Sequence, residues 1–179
     1  MKKFLKTING LVACLAVLLA FFPVTAVQAQ GIAGAGAAPI SEKEIVAIQA
    51  EFAELSQAAS SSRKRRVYKG TVRKGAALIK AAPDAPNRFR VLAIMLQSQK
   101  RLLLMDNSER NREALFETCE QLLQAPDDYA LIRLDADLLL SDRDLTLNEA
   151  DFKARALALS ALLKRYRDTP AEAQSLMIA

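Results

Sequence analysis

Apolar residues recur at helical spacing through most of the chain from about residue 41 onward. Ile45, Ile48, Phe52 and Leu55 follow one another at intervals of three or four, which places them on one stripe of a helix. Similar stripes further along predict six more helices. No window alternates between apolar and polar residues with a period of two, so no strand is predicted. The pattern therefore predicts an all-α fold of seven helices.

The third predicted helix contains the run VLAIML, residues 91–96, which is apolar on all sides. A helix of this kind is buried on more than one side, so we expect it at the centre of the domain. The second helix, residues 63–82, is weakened by Gly70 and Gly75, because glycine disfavours a helix interior. One or two aromatic residues fall in nearly every helix, and we interpret them as packing residues: Phe52, Tyr68, Phe89, Phe116, Tyr129, Phe152 and Tyr166.

Two distant stretches of the chain are alike. Residues 161–179, ALLKRYRDTPAEAQSLMIA, align without a gap with residues 77–95, ALIKAAPDAPNRFRVLAIM, and seven of 19 positions are identical. Each contains the end of one helix, an Asp-x-Pro turn and the start of another. A weaker copy lies between them at residues 121–127. The spacing of about 42 residues predicts helix-turn-helix repeats stacked as a short α-solenoid.

The second of these stretches resembles a known family. LKRYRDTP, residues 163–170, resembles the helix-to-helix join of tetratricopeptide-like repeats in bacterial envelope proteins, which commonly read Leu-x-x-Tyr-Pro-Asp-Ser-Pro before an Ala-rich helix. Arg167 stands where that family usually has proline, and the spacing here exceeds the family's unit of about 34 residues. The resemblance implies a TPR-like module that mediates protein–protein interaction in the cell envelope.

A second resemblance leaves another interpretation open. Residues 87–145 are similar to helical regions that precede a thioredoxin-like domain in exported redoxin proteins. This implies that the chain is the N-terminal region of a longer redoxin protein. The last five residues, SLMIA, are consistent with this interpretation. They are mostly apolar, whereas a terminal solenoid repeat normally presents a polar outer face. We therefore expect residues 41–179 to need a partner or further chain.

The N-terminus has the three parts of a secretory signal peptide. Three lysines lie among the first six residues, residues 11–22 are apolar and uncharged, and small residues precede a cleavage site between Ala29 and Gln30. The alternative is an uncleaved membrane anchor, for which the apolar stretch is short. The sequence thus predicts an exported protein, periplasmic or extracellular, with a signal peptide at 1–29.

Residues 30–40, QGIAGAGAAPI, are uncharged and rich in Gly and Ala, which predicts a flexible linker before the helical domain at 41–179. Cleavage would leave 22 basic and 20 acidic residues, a net charge of +2. It would also leave Cys119 as the one cysteine, so no internal disulfide is predicted.

The sequence has little of the chemistry that enzymes and metal sites use. It contains no histidine, the commonest general base and metal ligand. Cys119 shares a stripe with Leu115 and has acidic neighbours, so we expect an inert buried thiol. A calcium loop at 142–153, with Asp142, Asp144, Thr146 and Asn148 as ligands, fails because Leu147 and Lys153 occupy its Gly and Glu positions. No catalytic residue, cofactor or metal is predicted.

The strongest charge feature is SSSRKRRVYKGTVRKG, residues 60–75, which contains no acid. Its basic residues are Arg63, Lys64, Arg65, Arg66, Lys69, Arg73 and Lys74. One interpretation is contact with an anionic lipid surface, nucleic acid or an acidic partner; export and the single interleaved aromatic disfavour nucleic acid. The other is a solvated face, balanced by the acidic residues at 101–179, where 15 acids outnumber ten bases.

These observations predict a non-enzymatic, exported helical-repeat module with a protein partner. The alternatives are the N-terminal region of a redoxin protein and a binder of anionic surfaces through residues 63–74.

Overall fold

The structure is a computed structural model, and it describes residues 37–55, 59–143 and 149–178 of the chain. These ranges contain helices and no strand, so the all-α prediction is confirmed. The helices are α1 (Glu42–Ala53), α2 (Ser61–Ala81), α3 (Arg88–Met105), α4 (Glu109–Leu122), a 3-10 turn (Asp127–Tyr129), α5 (Ala130–Ser141), α6 (Glu149–Arg165) and α7 (Glu172–Ile178).

Helix α3 lies at the centre of the larger hydrophobic core, as its apolar run predicts. It packs against α1, α2 and α4. Its fully buried side chains include Val91, Leu92 and Leu96, which meet Leu115 and Leu122 of α4 in one cluster. Burial on several sides explains why this helix needs apolar residues around most of its circumference.

Helices α2 and α3 approach each other closely at Gly75. A methyl group at this position would lie 2.6 Å from Cγ of Met95 and 3.3 Å from a methyl of Val91, too close for ordinary contact. Gly70, in contrast, has no such neighbour within 4 Å of an added Cβ. The interpretation of both glycines as mere weaknesses is therefore incomplete, because Gly75 makes room for α3.

The end of the predicted linker is tied to the domain. Ile40 is buried in the main core, and its backbone N–H donates to Oδ1 of Asn87 at 2.9 Å. The Asn87 amide in turn donates to the Ile40 carbonyl at 2.8 Å. These two hydrogen bonds hold the chain just before α1 against the turn before α3.

A smaller core lies where α5, α6 and α7 meet. It consists of Ala130, Leu134, Leu162, Tyr166 and Ala171, with Leu138 and Leu159 packed against it. The interpretation of Phe152 as a packing residue is wrong, since its side chain is 62% exposed. Two other aromatic pairs do pack, Phe52 with Tyr68 and Phe89 with Tyr129, each with ring centroids 5.7 Å apart.

The two similar stretches fold into joins with equivalent helix ends and equivalent backbone hydrogen bonds. At the 84-residue offset of the alignment, the end of α2 coincides with the end of α6, and the start of α3 with the start of α7. Ala85 N–H donates to the Ala82 carbonyl at 3.2 Å, and Thr169 N–H donates to the Tyr166 carbonyl at 3.3 Å. The weaker copy differs, because α4 ends at Leu122, three residues before the alignment would end it.

Candidate functional site

Helix α2 carries all seven basic residues of the predicted contact segment. It begins at Ser61, where the Ser60 hydroxyl accepts a hydrogen bond from Arg63 N–H at 3.3 Å and caps the first turn. That first turn contains cations and no acid. Cations oppose the helix dipole at an N-terminus, which costs about 0.3–1 kcal/mol for each side chain. Helix stability therefore does not explain why they are there.

The helix has a packed side and an opposite, charged side. Thr71 and Gly75 are buried and mark the side that meets the core. At about 100° per residue, the cations that face away from the core fall within roughly 120° of the circumference. They are all exposed, and we call them the basic face: Arg63, Arg66, Lys69 and Arg73.

The remaining cations lie beside this face and contribute to the fold. Arg65 forms an ion pair with Asp106, just after α3, and Lys74 forms one with Glu51 of α1. Both pairs are partly exposed, so each stabilises the fold only slightly. Lys64 is half-buried. The structure thus separates the seven predicted residues into two ion-paired side chains, one half-buried side chain and the four of the basic face.

The basic face differs from the other cations of α2 in its ion pairing. Among the described residues, no carboxylate forms an ion pair with Arg63, Arg66, Lys69 or Arg73. Gly70 lies between them with open space above it, so no large side chain shields the charges. Among the described residues, the interpretation that the acidic half of the chain neutralises this segment applies to Arg65, whose partner Asp106 lies in that half, and to none of these four.

A second polar cluster joins α5 to the end of α6. The Tyr166 hydroxyl donates to Oδ2 of the buried Asp137 at 3.3 Å, and Arg165 forms an ion pair with the same carboxylate. Burial raises the pKa of the Tyr166 phenol to about 12; Asp137 adds to the rise, and Arg133 opposes it. The phenol therefore stays protonated at neutral pH, and the cluster acts as a tie between helices.

A cleft of about 380 Å³ opens beside this cluster, lined by Leu123, Arg133, Arg165 and Tyr166. Both guanidinium groups form ion pairs within the chain: Arg165 pairs with Asp137, and Arg133 pairs with Asp127 at 2.8 Å. The cluster was not predicted from the sequence. One signal for it was Asp137, which lies between apolar neighbours in the helix LIRLDADLLL, because a buried carboxylate needs a partner.

Cys119 is fully buried beside Leu115 and Leu122, as its stripe predicts. Burial, with a smaller contribution from the nearby Asp135, raises the pKa of the thiol to about 12. A thiol of this kind is not a nucleophile at neutral pH.

The other sequence candidates lie wholly or partly outside the described residues. In the calcium-loop candidate, Asp142 forms an ion pair with Arg155 at 3.1 Å, and Asp144, Thr146 and Asn148 lie outside the described ranges. The cleavage site at Ala29 and Gln30 also lies outside them. Within those ranges, no helix is long and apolar enough to cross a bilayer.

The basic face of α2 is therefore a cluster of exposed cations that form no ion pair among the described residues. Comparison with protein-family models, with curated proteins and with solved structures finds no match to this chain.

Proposed function

We propose that this chain is a non-catalytic helical module that binds an acidic protein surface through the basic face of α2. The observation that carries the proposal is a row of four exposed cations, on the side of α2 away from the core, that form no ion pair within the part of the chain that the structure describes. Such a row attracts and orients a partner of opposite charge.

A protein partner fits this face better than a membrane does. Helices that lie in a membrane surface place large apolar side chains in the interface. The apolar side of α2 is already used, because Thr71, Gly75 and their neighbours pack on α3. The outer side offers charges with small residues between them, such as Gly70, Ala76 and Ala77. Arginine-rich faces of this kind form paired hydrogen bonds with carboxylates.

The proposal includes a repeat architecture and export. The end of α2 matches the end of α6, and the start of α3 matches the start of α7. These matches support stacked helix pairs of the TPR-like kind, which bind partners along extended faces.

Export is supported by the N-terminal sequence. It has lysines, an apolar run at 11–22 and small residues before Gln30, which are typical of a cleaved signal peptide. N-terminal sequencing of the chain recovered from the periplasm of a bacterial host tests export, with Gln30 expected as the first residue.

Binding to an immobilised acidic polypeptide tests the function. The variant R63Q/R66Q/K69Q/R73Q removes the basic face, and R110Q/K153Q/K164Q/R167Q removes four exposed cations elsewhere as a matched control. We expect the first variant to bind polyglutamate at least about tenfold more weakly than the control at low salt.

Equal binding by the two variants would contradict the proposal, because it would show that net charge alone is responsible. A parallel measurement on vesicles with and without anionic lipid separates a protein partner from a lipid surface. Stronger dependence of vesicle binding than of polyglutamate binding on the basic face would favour the lipid.

A further inference from the structure

Helix α4 presents a row of carboxylates that matches the basic face in length. Glu109, Glu113, Glu117 and Glu120 are all exposed, and at about 100° per residue they fall within roughly 80° of the helix circumference. We call them the acidic face. Glu120 pairs with Arg143 at 3.4 Å, and the other three have no ion pair among the described residues.

The two faces have corresponding spacing. The basic face extends over 11 residues of α2, about 15 Å between its first and last Cα, and the acidic face over 12 residues of α4, about 17 Å. Each places a charge on almost every turn. An α2 helix laid against an α4 helix would therefore bring a cation near a carboxylate along the whole contact.

The acidic face already holds a guanidinium group in this structure. Arg143 lies over the Phe116 ring, 5.1 Å from its centroid, beside Glu120. A shallow pocket of about 210 Å³ continues from there along α4, lined by Phe116, Glu109, Glu113, Arg112 and Arg143. An aromatic ring next to carboxylates is a favourable site for an arginine side chain.

The two faces of one chain cannot meet, because α3 lies between their helices. Gly75 of α2 contacts Met95 and Val91 of α3, so the basic face points away from α3. Leu115 and Leu122 of α4 pack in the same core, and the acidic face lies on the other side of α4. The chain thus carries both halves of a contact on separate surfaces.

We infer that the acidic partner of the basic face is α4 of a second copy of this chain. This inference rests on the proposed function and names its partner. The contact is heterologous, since the basic face of one copy meets the acidic face of the next. Each added copy leaves one face of each kind unused, so the association is head-to-tail and continues until a ring closes. It is also weak and salt-sensitive, because it is made of exposed ion pairs.

Sedimentation velocity of the purified full chain, in the form the host leaves it, tests the inference over a range of concentrations. At about 0.02 M salt the sedimentation coefficient should rise continuously with concentration, and at about 0.5 M salt it should not. R66E/R73E and E113R/E117R should each reduce self-association at least about tenfold. Association through the N-terminus would survive both pairs of substitutions and would contradict the inference.

Mixing and charge exchange make the test specific. An equimolar mixture of R66E/R73E and E113R/E117R should associate although each alone does not, since the intact acidic face of the first chain can meet the intact basic face of the second. The chain with all four substitutions should regain part of the self-association, because positions 66 and 73 again carry charges opposite to those at positions 113 and 117. Rescue would show that the single-face variants are folded. Failure of both rescues, by variants whose far-UV circular dichroism matches that of the unsubstituted chain, would overturn the inference.

Failure here is distinguishable from failure of the proposed function. E113R/E117R keeps the basic face, so it should bind polyglutamate at least as well as the unsubstituted chain. A chain that stays monomeric but binds polyglutamate through the basic face would retain the proposed function and exclude the second copy as partner.

Discussion

Residues 77–95 and 161–179 are identical at seven of 19 positions and have equivalent helix ends, yet their second helices differ in burial. Leu92 is 1% exposed, and the equivalent Leu176 is 62% exposed. Helix α3 packs against α1, α2 and α4, whereas α7 packs chiefly against α6. Local sequence therefore determines where the helices end and turn. Burial of the helix after the turn depends on which other helices reach it.

Truncating the equivalent leucines should give the largest difference in stability between the two joins. L92A removes a fully buried side chain from the main core and should lower the free energy of unfolding by about 2–5 kcal/mol. L176A removes an exposed side chain and should change it by less than about 0.5 kcal/mol. Urea denaturation of both variants measures the difference. A large effect of L176A would mean that α7 is covered in solution.

The phenol of Tyr166 should make only the second join sensitive to alkaline pH. Ala82 occupies the equivalent position in the first join and has no titratable group. The folded-state pKa of about 12 exceeds the ordinary value of 10.0, so the folded chain holds the phenolic proton more tightly than the unfolded chain does. The resulting stabilisation, about 3 kcal/mol, is complete below pH 10 and is lost as the pH rises to 12.

Urea denaturation of the unsubstituted chain and of Y166F at pH 9 and pH 11.5 tests this dependence. The stability difference between them should shrink at the higher pH, because Y166F has no phenolic proton to lose. Y68F serves as a tyrosine-to-phenylalanine control away from the Asp137 cluster. A difference that stays constant with pH would show that the Tyr166 hydroxyl titrates normally.

The two glycines of α2 test why α3 can be buried. G75A places a methyl group 2.6 Å from Met95 Cγ, and the overpacking should cost about 1–3 kcal/mol, against a gain in helix propensity of up to about 1 kcal/mol. G70A gains propensity without a clash and should stabilise by about 0.5–1 kcal/mol. Thermal unfolding of both variants measures the contrast. Equal stabilisation would show that Met95 moves aside easily.

The sequence predicts features that depend on neighbouring residues better than it predicts contacts between distant ones. The apolar run at 91–96 correctly indicated the central helix, and α2 begins two residues before the predicted Arg63 and ends one residue before Ala82. A stripe shows which side chains share a face but not whether another helix covers it, so the exposure of Phe152 was missed.

The same limit applies to the candidate site. The sequence identified all seven cations at 63–74 but could not show which of them form ion pairs within the chain. Their division depends on carboxylates far along the chain, since Asp106 is 41 residues from Arg65 and Glu51 is 23 from Lys74. The tie between Tyr166 and Asp137 spans 29 residues and was missed for the same reason.

Substituting the aspartates of the two turns should give the smallest difference in stability between the two joins. Asp168 has a φ of 62°, the one positive φ among the described non-glycine residues, so Asp84 at the equivalent position adopts the ordinary region. D168G should stabilise the chain by up to about 1 kcal/mol, because glycine adopts this conformation without strain. D84G should destabilise it by about 0.5–1 kcal/mol through the greater entropy of the unfolded chain. Opposite shifts in unfolding temperature would show that joins with the same hydrogen bonds differ in backbone strain; shifts of the same sign would contradict this.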